Sequence, residues 1–546
     1  MSELSFQRQD PVRWLMPPVL VTTGIKSVLA GIFGSYADKR ELQRGLPSTV
    51  HSCDGEELWF DFVADVGDGF NATFSIASLL AAPELRLDEK TLPRGRILIM
   101  GGDEVYPSAS AEAYEDRTKG PYRAALPAAE DHPRLFALPG NHDWYDGLTS
   151  FLRTFAQQRN IGGWQTEQSR SYFAIELPQR WWLFAVDTQF DQYIDGPQLE
   201  YFREAAKNLR EGDAVILCTP VPTWAHAPEN YRGYDIIQFF EHEIVRPAGA
   251  VIRVMLSGDS HHYARYEGTC QRITCGGGGA YLSATHRLHK TIELPPKETR
   301  IPEPDPVETI VLRETYPSEA ESKSLANGIF RLPWTNPGFW GLTAVLQTVL
   351  ALFLQIGLTV HPGGAFGEIS VWAPAVFMIV LVVLMGVLFA RYSPPGGART
   401  AAGLIHAAAH LVLAGLWAWF LFWLNGHADG WVTGVVGIVG TFAVIGFLDA
   451  EIVALYLLLA SRWGVNLNEA FAGQSIQDYK SFLRMHITTG GDLEIFPVKV
   501  PRVCRDWKIN EDRSPGAPWI VPQGELKAEL IEKITPVTRV PTAGGR

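Results

Sequence analysis

Long apolar runs in the second half of the chain constrain its fold most. Up to about residue 330 the apolar stretches are short and are broken by Gly, Pro and charged residues. Longer runs then cover residues 342–360, 371–390, 404–424 and 431–463. Each is close to the ~20 residues that span the hydrocarbon core of a bilayer. We therefore expect a transmembrane α-helical bundle of four helices within residues 340–463, and so an integral, multi-pass membrane protein bound to the lipid bilayer.

The loops between these runs predict the orientation in the membrane. Arg391 and Arg399 lie between the second and third runs, and Arg462 follows at the end of the fourth. The opposite loops, "HPGGAFGEIS" and "NGHADG", contain no Lys or Arg. Because short loops rich in Lys and Arg stay on the cytoplasmic side, we expect both long polar parts of the chain in the cytoplasm.

The net charge limits the possible partners of the chain, and the cysteine content indicates its redox compartment. The 546 residues include 59 acidic and 47 basic ones, which gives a formal net charge of −12. A nucleic-acid-binding domain has a basic face, so no nucleic-acid partner is expected. The five Cys have no regular spacing, which argues against a disulfide framework and for a reducing compartment. The oligomeric state cannot be predicted from the sequence.

The termini are predicted to accompany a folded domain at 51–330. Residues 1–50 form an N-terminal segment whose apolar stretch 14–36 is interrupted by Pro17, Pro18 and Lys26. This stretch favours an interfacial or core-packing helix over a membrane span. Residues 464–546 form a cytoplasmic tail with a hairpin around Gly490 and Gly491, and this tail is expected to pack on the 51–330 domain.

Polar clusters follow apolar strands at several places in residues 51–330. The stretch "LFALPGNHDWYDG" (135–147) passes from an apolar run through Pro-Gly to Asn, His and Asp. The other clusters end in Asp65 and Asp68, Asp103 and Tyr106, Thr219 and Pro220, and Asp259, His261 and His262. Ligands of α/β folds bind at the carboxyl ends of strands, and these side chains offer the oxygen and nitrogen donors that divalent and trivalent metals take. Each cluster alone could cap a helix, but five in order predict a metal site.

The order of these motifs resembles the calcineurin-like metallophosphoesterase superfamily, and within it the purple acid phosphatase-like branch. The matching stretches are Asp65-Val66-Gly67, Gly102-Asp103, Gly140-Asn141-His142-Asp143 and Gly258-Asp259-Ser260-His261, followed by "ITCGGGGAYLS" (273–283). Gly67 stands where most relatives have a metal-binding His, and Tyr106 lies three residues after Asp103, as in the purple branch. The resemblance covers about residues 58–285. It implies a metallophosphoesterase four-layer αββα sandwich.

The resemblance also implies a binuclear metal centre. Asp65, Asp103, Tyr106 and His261 would hold iron at the first site. Asp103 would bridge to a second site, shared with Asn141 and Asp259, for manganese, magnesium or zinc. His142 would stand beside the phosphate as a general acid or transition-state stabiliser. Asp143 would be a second residue of the catalytic site and would orient His142 or a backbone turn.

Two departures from the family pattern affect the second site. The family's lone His falls on Pro220, which cannot bind a metal, and the first His of its last motif is Asp259 here. His226 is close enough in sequence to substitute, although a surface position is the more common one for such a residue. His262 should point away from His261, because neighbouring side chains alternate along a strand.

The apolar runs contain ionisable residues as well. His406 and His410 share a helix face, and Asp449 and Glu451 lie in the fourth run. Charged groups inside a span indicate function by default. The alternative is that all of them lie near the cytoplasmic interface, where water solvates them.

Together these features predict a membrane-anchored, metal-dependent phosphoesterase that hydrolyses a phosphate ester, with a lipid-linked substrate favoured by the bundle. Two alternatives remain open. One is a catalytically degenerate membrane sensor or scaffold that binds a metal or a phosphate ligand. The other is a transporter regulated by the 51–330 domain.

Overall fold

The computed structural model describes residues 4–33, 39–188, 193–391 and 398–539. Parts of the predicted N-terminal segment (1–3 and 34–38), of the loop between the second and third runs (392–397) and of the tail (540–546) lie outside these residues. The chain forms two compact units. The α/β unit comprises Met1–Val12, Thr23–Ala320 and Ile476–Arg546, and the helical unit comprises Arg13–Thr22 and Glu321–Ser475.

The strands of the α/β unit are numbered in chain order. They are β1 (His51–Ser52), β2 (Leu58–Val63), β3 (Glu84–Leu87), β4 (Lys90–Pro93), β5 (Ile97–Met100), β6 (Arg134–Ala137), β7 (Asn160–Ile161), β8 (Trp164–Thr166), β9 (Phe173–Leu177), β10 (Trp181–Ala185), β11 (Ala214–Cys218), β12 (Val251–Ser257), β13 (Tyr263–Glu267), β14 (Gln271–Cys275), β15 (Thr291–Leu294), β16 (Glu308–Tyr316), β17 (Lys480–Ile487), β18 (Leu493–Val500), β19 (Trp507–Ile509), β20 (Ile520–Pro522), β21 (Glu529–Leu530) and β22 (Thr535–Val537).

Within the described residues these strands form two nine-stranded sheets and two small hairpins. The first sheet has the order β1-β9-β10-β11-β12-β14-β13-β16-β15. The second has the order β21-β18-β17-β2-β5-β6-β8-β7, with β22 also paired to β18. Strands β2, β5 and β6 are parallel, as are β10, β11, β12 and β14. Parallel neighbours end at the same sheet edge, so the polar clusters that follow them can meet there.

The tail contributes strands to the second sheet. Strands β17 and β18 form the hairpin expected around Gly490 and Gly491. Strand β17 pairs antiparallel with β2, from Leu483 opposite Phe62 to Ile487 opposite Leu58. A segment more than 400 residues away in sequence thus flanks the strand that leads to Asp65.

Three hydrophobic clusters pack the described part of the α/β unit. Inward-facing residues of both sheets share one cluster, in which Phe60 and Phe62 of β2 join Leu183 and Ile216 of the first sheet. A second cluster joins the other face of the second sheet to helices such as Phe70–Ala81. A third joins the other face of the first sheet to helices such as Gly196–Ala206. The period-2 alternation of strand side chains divides the apolar residues among these clusters.

The α-helices vary from single turns to long apolar segments. In chain order they are Pro17–Phe33, Lys39–Leu42, Phe70–Ala81, Ala111–Tyr114, Gly120–Ala125, Asn141–Trp144, Thr149–Phe155, Gly196–Ala206, Thr223–His226, Tyr231–Phe240, Glu319–Ala326, Leu332–Thr335, Pro337–Thr359, Ala365–Arg391, Ala398–Asn425, Gly430–Val435, Gly446–Ala460 and Leu467–Ala472. The ten residues Val436–Ile445 between two of these helices are π-helical.

The helical unit contains the apolar helices predicted from the sequence. Among the described residues, four helices are long and apolar enough to cross a membrane: Pro337–Thr359, Ala365–Arg391, Ala398–Asn425 and Gly430–Trp463. We call them the first to fourth apolar helices. They indicate a membrane protein. The prediction of a mixed α/β fold accompanied by four such helices is therefore confirmed.

Candidate metal centre at the strand ends

Aspartates in left-handed backbone conformations follow three strands of the α/β unit. Asp65 follows β2 with φ 59°, Asp103 follows β5 with φ 55°, and Asp259 follows β12 with φ 66°. This conformation costs energy in a residue with a Cβ, and such strain is concentrated at functional sites. The three carboxylates thus lie just beyond the strand ends, at the sheet edges where parallel strands end.

The hydroxyl of Tyr106 lies among three of the side chains predicted for the first metal. Its oxygen is 2.9 Å from Asp65 Oδ1, 3.1 Å from Asp103 Oδ2 and 3.1 Å from His261 Nε2. Asp65 Oδ1 lies 3.4 Å from the same His261 nitrogen. Tyr106 and Asp65 are fully buried, and Asp103 is 2% exposed. The structure therefore brings together four residues that are up to 196 positions apart in the sequence.

These atoms share too few protons to satisfy one another. A phenol carries one proton, and ionised carboxylates only accept hydrogen bonds. The single Tyr106 proton can serve one of its two carboxylate neighbours at a time. Groups of the same sign that are buried this closely must take up protons or be matched by a cation.

The distances within the group suit a single cation. Metal–oxygen and metal–nitrogen bonds in proteins are roughly 2.0–2.2 Å long. Two such ligands at right angles are then ~3 Å apart, the square root of two times the bond length. The contacts of Tyr106 lie in this range. The donor set of two carboxylates, a phenol and an imidazole therefore fits a metal without a large rearrangement.

The electrostatic environment opposes the ionised form of each acid. Burial raises the pKa of Asp65 well above its ordinary value, and the charge of Asp259 raises it further. Burial also raises the pKa of Asp103, and repulsion from Asp65 adds to this effect. The pKa of the Tyr106 hydroxyl is raised by burial and by both of these aspartates. A bound cation would remove this penalty, because it favours the charged form of all three groups.

The side chain of Asn141 lies beside Asp103, the carboxylate predicted to bridge the two metal sites. Its carboxamide approaches Asp103 Oδ2 to 2.9 Å. With the nitrogen toward Asp103 it forms a hydrogen bond, whereas with the oxygen toward Asp103 the two oxygens face each other as ligands of one cation do. The side-chain amide of Asn141 also forms a hydrogen bond with the Tyr145 hydroxyl, at 3.1 Å. Asp103 thus touches residues of both predicted metal sites.

Asp259 is half-buried and is joined to the first group through its backbone. Its amide nitrogen donates to both carboxylate oxygens of Asp65, at 3.1 and 2.9 Å. Its charge acts on Asp65 and Asp103. Its side chain is the least enclosed of the predicted acidic ligands, since Asp65 and Asp103 are buried.

His142 lies over Tyr106 with its proton position fixed by a carbonyl. Its Nδ1 is 2.8 Å from the Pro107 oxygen, which can only accept, so Nδ1 carries a proton. Its backbone nitrogen donates to Asp103 Oδ1 at 2.8 Å, and its ring lies 4.4 Å from that of Tyr106. Desolvation lowers the pKa of His142 to about 3, so the ring is neutral and Nε2 is the acceptor nitrogen.

Asp143 holds the loops together and does not touch the Tyr106 group. Its Oδ2 accepts from the backbone nitrogens of Gly140 at 2.8 Å and Glu104 at 3.3 Å, and its Oδ1 accepts from the Tyr114 hydroxyl. It therefore fixes the backbone on either side of Asp103 and Asn141. Asp68 has a comparable role, because its Oδ1 accepts from the Val12 nitrogen at 2.6 Å.

Glycine is required where the backbone passes a carboxylate. A Cβ added to Gly258 would lie 2.5 Å from Asp65 Oδ2, and one added to Gly276 would lie 2.6 Å from the same atom. Both contacts are shorter than a Cβ tolerates. The glycine-rich strand end noted in the sequence thus forms part of the wall around Asp65.

The two departures from the family pattern lie close to the site. A Cβ at Gly102 would be 3.6 Å from Pro220 Cα, so Pro220 lies next to the loop that leads to Asp103. His226 is half-buried, and its charge acts on His262. His262 is buried, and its Nδ1 has no hydrogen-bond partner within the described part of the chain. The structure does not bring either imidazole into hydrogen-bonding contact with Asp103 or Asn141.

Three residues near the site were missed in the sequence analysis. Glu104 is buried, and its Oε1 accepts from the Gly102 nitrogen at 3.1 Å. Tyr114 binds Asp143. Lys480 of β17 is buried and donates to the Ala280 oxygen at 2.6 Å, while its charge interacts with Asp68 and Asp65. The position of Glu104 directly after Asp103 was a sequence signal for its place near the site. Lys480 gave no such signal, because it reaches the site from a strand that is distant in sequence.

Comparisons with known proteins give no family for this chain. Neither a protein-family model nor a curated protein matches it. Taking His, Cys, Asp and Glu side chains alone, no group of three or more within residues 4–33, 39–188, 193–391 and 398–539 is placed to hold a metal ion. The group described above differs in that a tyrosine hydroxyl and an asparagine amide are essential members. Its interpretation rests on its own geometry.

Proposed function

We propose that the α/β unit is a metal-dependent phosphoesterase of the calcineurin-like superfamily, closest to its purple acid phosphatase-like branch. The observation that carries this proposal is the convergence of Asp65, Asp103 and His261 on the Tyr106 hydroxyl. The two sheets with a shared core and an outer helical cluster on each support the four-layer αββα sandwich that this family implies. The motif order in the sequence is the second line of support.

The metal ligands follow from the contacts. Asp65, Asp103, Tyr106 and His261 would hold the first cation, with iron favoured by the phenol and carboxylates. Asp103, Asn141 and Asp259 would hold the second, with manganese or magnesium preferred over zinc because all three are oxygen donors. When bound, such a pair of cations polarises a phosphate ester and lowers the pKa of a water molecule.

The protein's own residues would orient the substrate. His142 keeps its proton on Nδ1 through Pro107, so Nε2 can accept a hydrogen bond from a water or a substrate hydroxyl. A phosphate dianion nearby would favour protonation of this nitrogen and so allow the general-acid role implied by the family. Asp143 would act through the backbone of residues 104 and 140, as a positioning residue.

A substrate in the bilayer is favoured by the helix beside the site. Ser27 of helix Pro17–Phe33 is hydrogen-bonded to Tyr145, which in turn bonds Asn141. The same helix exposes a stripe of large apolar side chains at Ile25, Val28, Leu29 and Ile32, which are 47–60% exposed. Their spacing puts them on one helical face, as in helices that lie in a membrane interface. The interfacial alternative for this segment thus has more support than core packing.

The alternative function is a catalytically degenerate sensor or scaffold. Pro220 and Asp259 support it, because they replace two imidazoles of the family's second site. The contact of Asn141 with Asp103 and the position of His142 over Tyr106 favour the enzyme. A module that only binds one metal at the Tyr106 group requires neither residue.

Hydrolysis by the purified full-length chain tests the proposal. With manganese added, the wild type should hydrolyse p-nitrophenyl phosphate, and Asp103→Asn should lower the rate at least ~1000-fold, since one substitution removes a ligand from both sites. Asp131→Asn is the matched control, because this carboxylate is exposed and pairs with Arg94. Equal rates for the two variants would reject the assignment of Asp103. A wild type without hydrolysis in any divalent metal would favour the sensor.

The interfacial helix has its own test. The double change Ile25→Glu and Val28→Glu should lower hydrolysis of a lipid phosphate in vesicles about tenfold and leave hydrolysis of p-nitrophenyl phosphate within twofold. Exposed apolar side chains that enter the interface contribute to membrane binding and not to chemistry. Equal loss with both substrates would place the effect in the site itself.

A further inference from the structure

The four apolar helices contain a hydrogen-bonded chain of polar side chains. Gln347 Nε2 donates to Asp449 Oδ1 at 2.6 Å, and His410 Nδ1 lies 2.5 Å from the same oxygen. His410 Nε2 lies 2.8 Å from His406 Nε2. We call Gln347, His406, His410 and Asp449 the polar chain. The ring of Tyr456 stacks on that of His406 at a centroid distance of 3.9 Å.

The polar chain lies level with the middle of the first apolar helix. Gln347 is the eleventh of the 23 residues in Pro337–Thr359, which places it about 15 Å from the start of that helix. Asp449 and the two His must be at the same level, since they are linked to Gln347 by direct contacts. An interfacial position for His406, His410 and Asp449 is therefore disfavoured. Glu451 is half-buried on the same helix as Asp449.

The contacts are consistent with one arrangement of protons along the polar chain. Asp449 Oδ1 accepts from the Gln347 amide and from His410 Nδ1. With one proton on each imidazole, His410 Nε2 accepts and His406 Nε2 donates. In this arrangement His406 Nδ1 is an acceptor at the end of the polar chain.

This terminal acceptor is buried and unsatisfied. His406 is 7% exposed, and its Nδ1 has no hydrogen-bond partner among the described residues. The Oε1 atom of Gln347 also has no hydrogen-bond partner among the described residues, and Gln347 is 4% exposed. Buried polar atoms without partners are costly, and water cannot readily reach them in a bilayer. Two unsatisfied acceptors therefore call for a donor from outside the chain.

Gln347 and His406 both line one cavity. It has a volume of about 220 Å³ and is lined by the four residues of the polar chain and by apolar side chains, among them Leu346, Val382 and Met385. A water molecule has a share of ~30 Å³ in the liquid, so this cavity can hold a polar head and several carbon atoms. Its lining is almost entirely apolar apart from the polar chain.

We propose that this cavity binds an uncharged long-chain alcohol of the bilayer. The hydroxyl donates to His406 Nδ1, and the alkyl chain occupies the apolar part. An uncharged donor fits because a cation at this depth has a high desolvation cost. This site does not depend on the function proposed for the α/β unit.

Photocrosslinking of the full-length chain in lipid nanodiscs tests this proposal. The probe is hexadecanol bearing a diazirine on its chain, and the matched probe is its methyl ether, which lacks the donor. The alcohol should label peptides around Leu346 and Val382 about three- to tenfold more than the ether, as expected for one hydrogen bond in a membrane protein. Equal labelling by both probes would overturn the proposal.

Variants separate the cavity from the bulk lipid. His406→Phe should lower labelling by the alcohol to the level of the ether, and His427→Phe should leave it unchanged, because His427 is exposed just beyond the end of the same helix. Val382→Phe fills the cavity without touching the polar chain and should lower labelling by both probes. It serves as the decisive variant if His406→Phe fails to fold. Unchanged labelling in a folded Val382→Phe protein would show that no ligand occupies this cavity.

Discussion

Asp61 on strand β2 and Asp65, two residues after the end of that strand, have opposite surroundings. Asp61 of β2 is buried and binds Arg484, with Oδ1 2.8 Å from Nε and Oδ2 3.1 Å from the Nη2 nitrogen. Asp65 at the end of β2 is also buried, but its neighbours include Asp103 and Asp259. Burial raises the pKa of both, and Arg484 opposes this at Asp61 while Asp259 adds to it at Asp65.

The difference separates a structural carboxylate from one that we propose as a metal ligand. At Asp61 the counter-charge belongs to the chain, so the pair is complete when the protein folds. At Asp65 the group around Tyr106 has more acceptors than protons, so it needs further protons or a cation. Buried charge of the first kind stabilises the pairing of β2 with β17, and buried charge of the second kind is concentrated at functional sites.

The largest expected effect comes from breaking the complete pair. Arg484→Met should lower the free energy of unfolding by about 3–5 kcal/mol, because it leaves Asp61 buried without a counter-charge. Denaturant titration in detergent, followed by tryptophan fluorescence, measures this. Arg86→Met is the matched control, since the Arg86–Glu84 pair is exposed and should contribute less than ~1 kcal/mol. If both variants lose the same amount, Arg484 does not compensate Asp61.

A smaller effect concerns the cation nearest to Asp65 in the tail. Burial lowers the pKa of Lys480 to about 8, from its ordinary 10.5. Between these values the folded chain binds fewer protons than the unfolded chain, so the free energy of unfolding should rise with pH, by about 2 kcal/mol between pH 8 and 10. Lys480→Met should remove this rise.

The comparison of wild type with Lys480→Met also tests whether the charge of Lys480 compensates the acids around Asp65. Parallel stability curves for wild type and Lys480→Met would mean that Lys480 keeps its ordinary pKa and pairs with the acids as Arg484 pairs with Asp61. The contrast between Asp61 and Asp65 would then be lost. Unfolding midpoints at several pH values are sufficient for this test.

The smallest effect is expected at a third buried aspartate. Asp449 is met by the amide of Gln347 and the imidazole of His410, whereas Asp61 is met by a guanidinium. A double-mutant cycle of His410→Ala and Asp449→Asn, measured as thermal stability in detergent, should give a coupling energy of about 0.6–2 kcal/mol. Fully additive losses would show that the two side chains do not interact and would support their interfacial placement.

The sequence was sufficient for features that depend on local patterns. The apolar runs predicted four long helices, because length and composition alone decide whether a helix can span a bilayer. The polar clusters after apolar strands predicted a metal site at the strand ends, and the family resemblance implied that Asp65, Asp103, Tyr106 and His261 meet there. The i, i+4 spacing placed His406 and His410 on one face.

Features that depend on distant pairing could not be predicted. Arg484 reaches Asp61, and Lys480 reaches the surroundings of Asp65, through β17, whose partner β2 lies about 420 residues earlier. Nothing in "DYKSFLRMHI" indicates that its charged residues are buried. The contact of Gln347 with Asp449 likewise depends on how two apolar helices pack, and uniformly apolar helices carry no signal for that.

The metal content of the purified chain tests the central claim most directly. Wild-type protein should retain about one metal per chain, held by the Tyr106 group, and should bind a second on addition of manganese. Asp259→Ala should keep the first metal and lose the second, whereas Asp103→Asn should lose both, because Asp103 contacts both groups. Elemental analysis after dialysis gives these numbers. A wild-type chain that binds neither iron nor manganese, or an Asp103→Asn chain with unchanged metal content, would contradict the account.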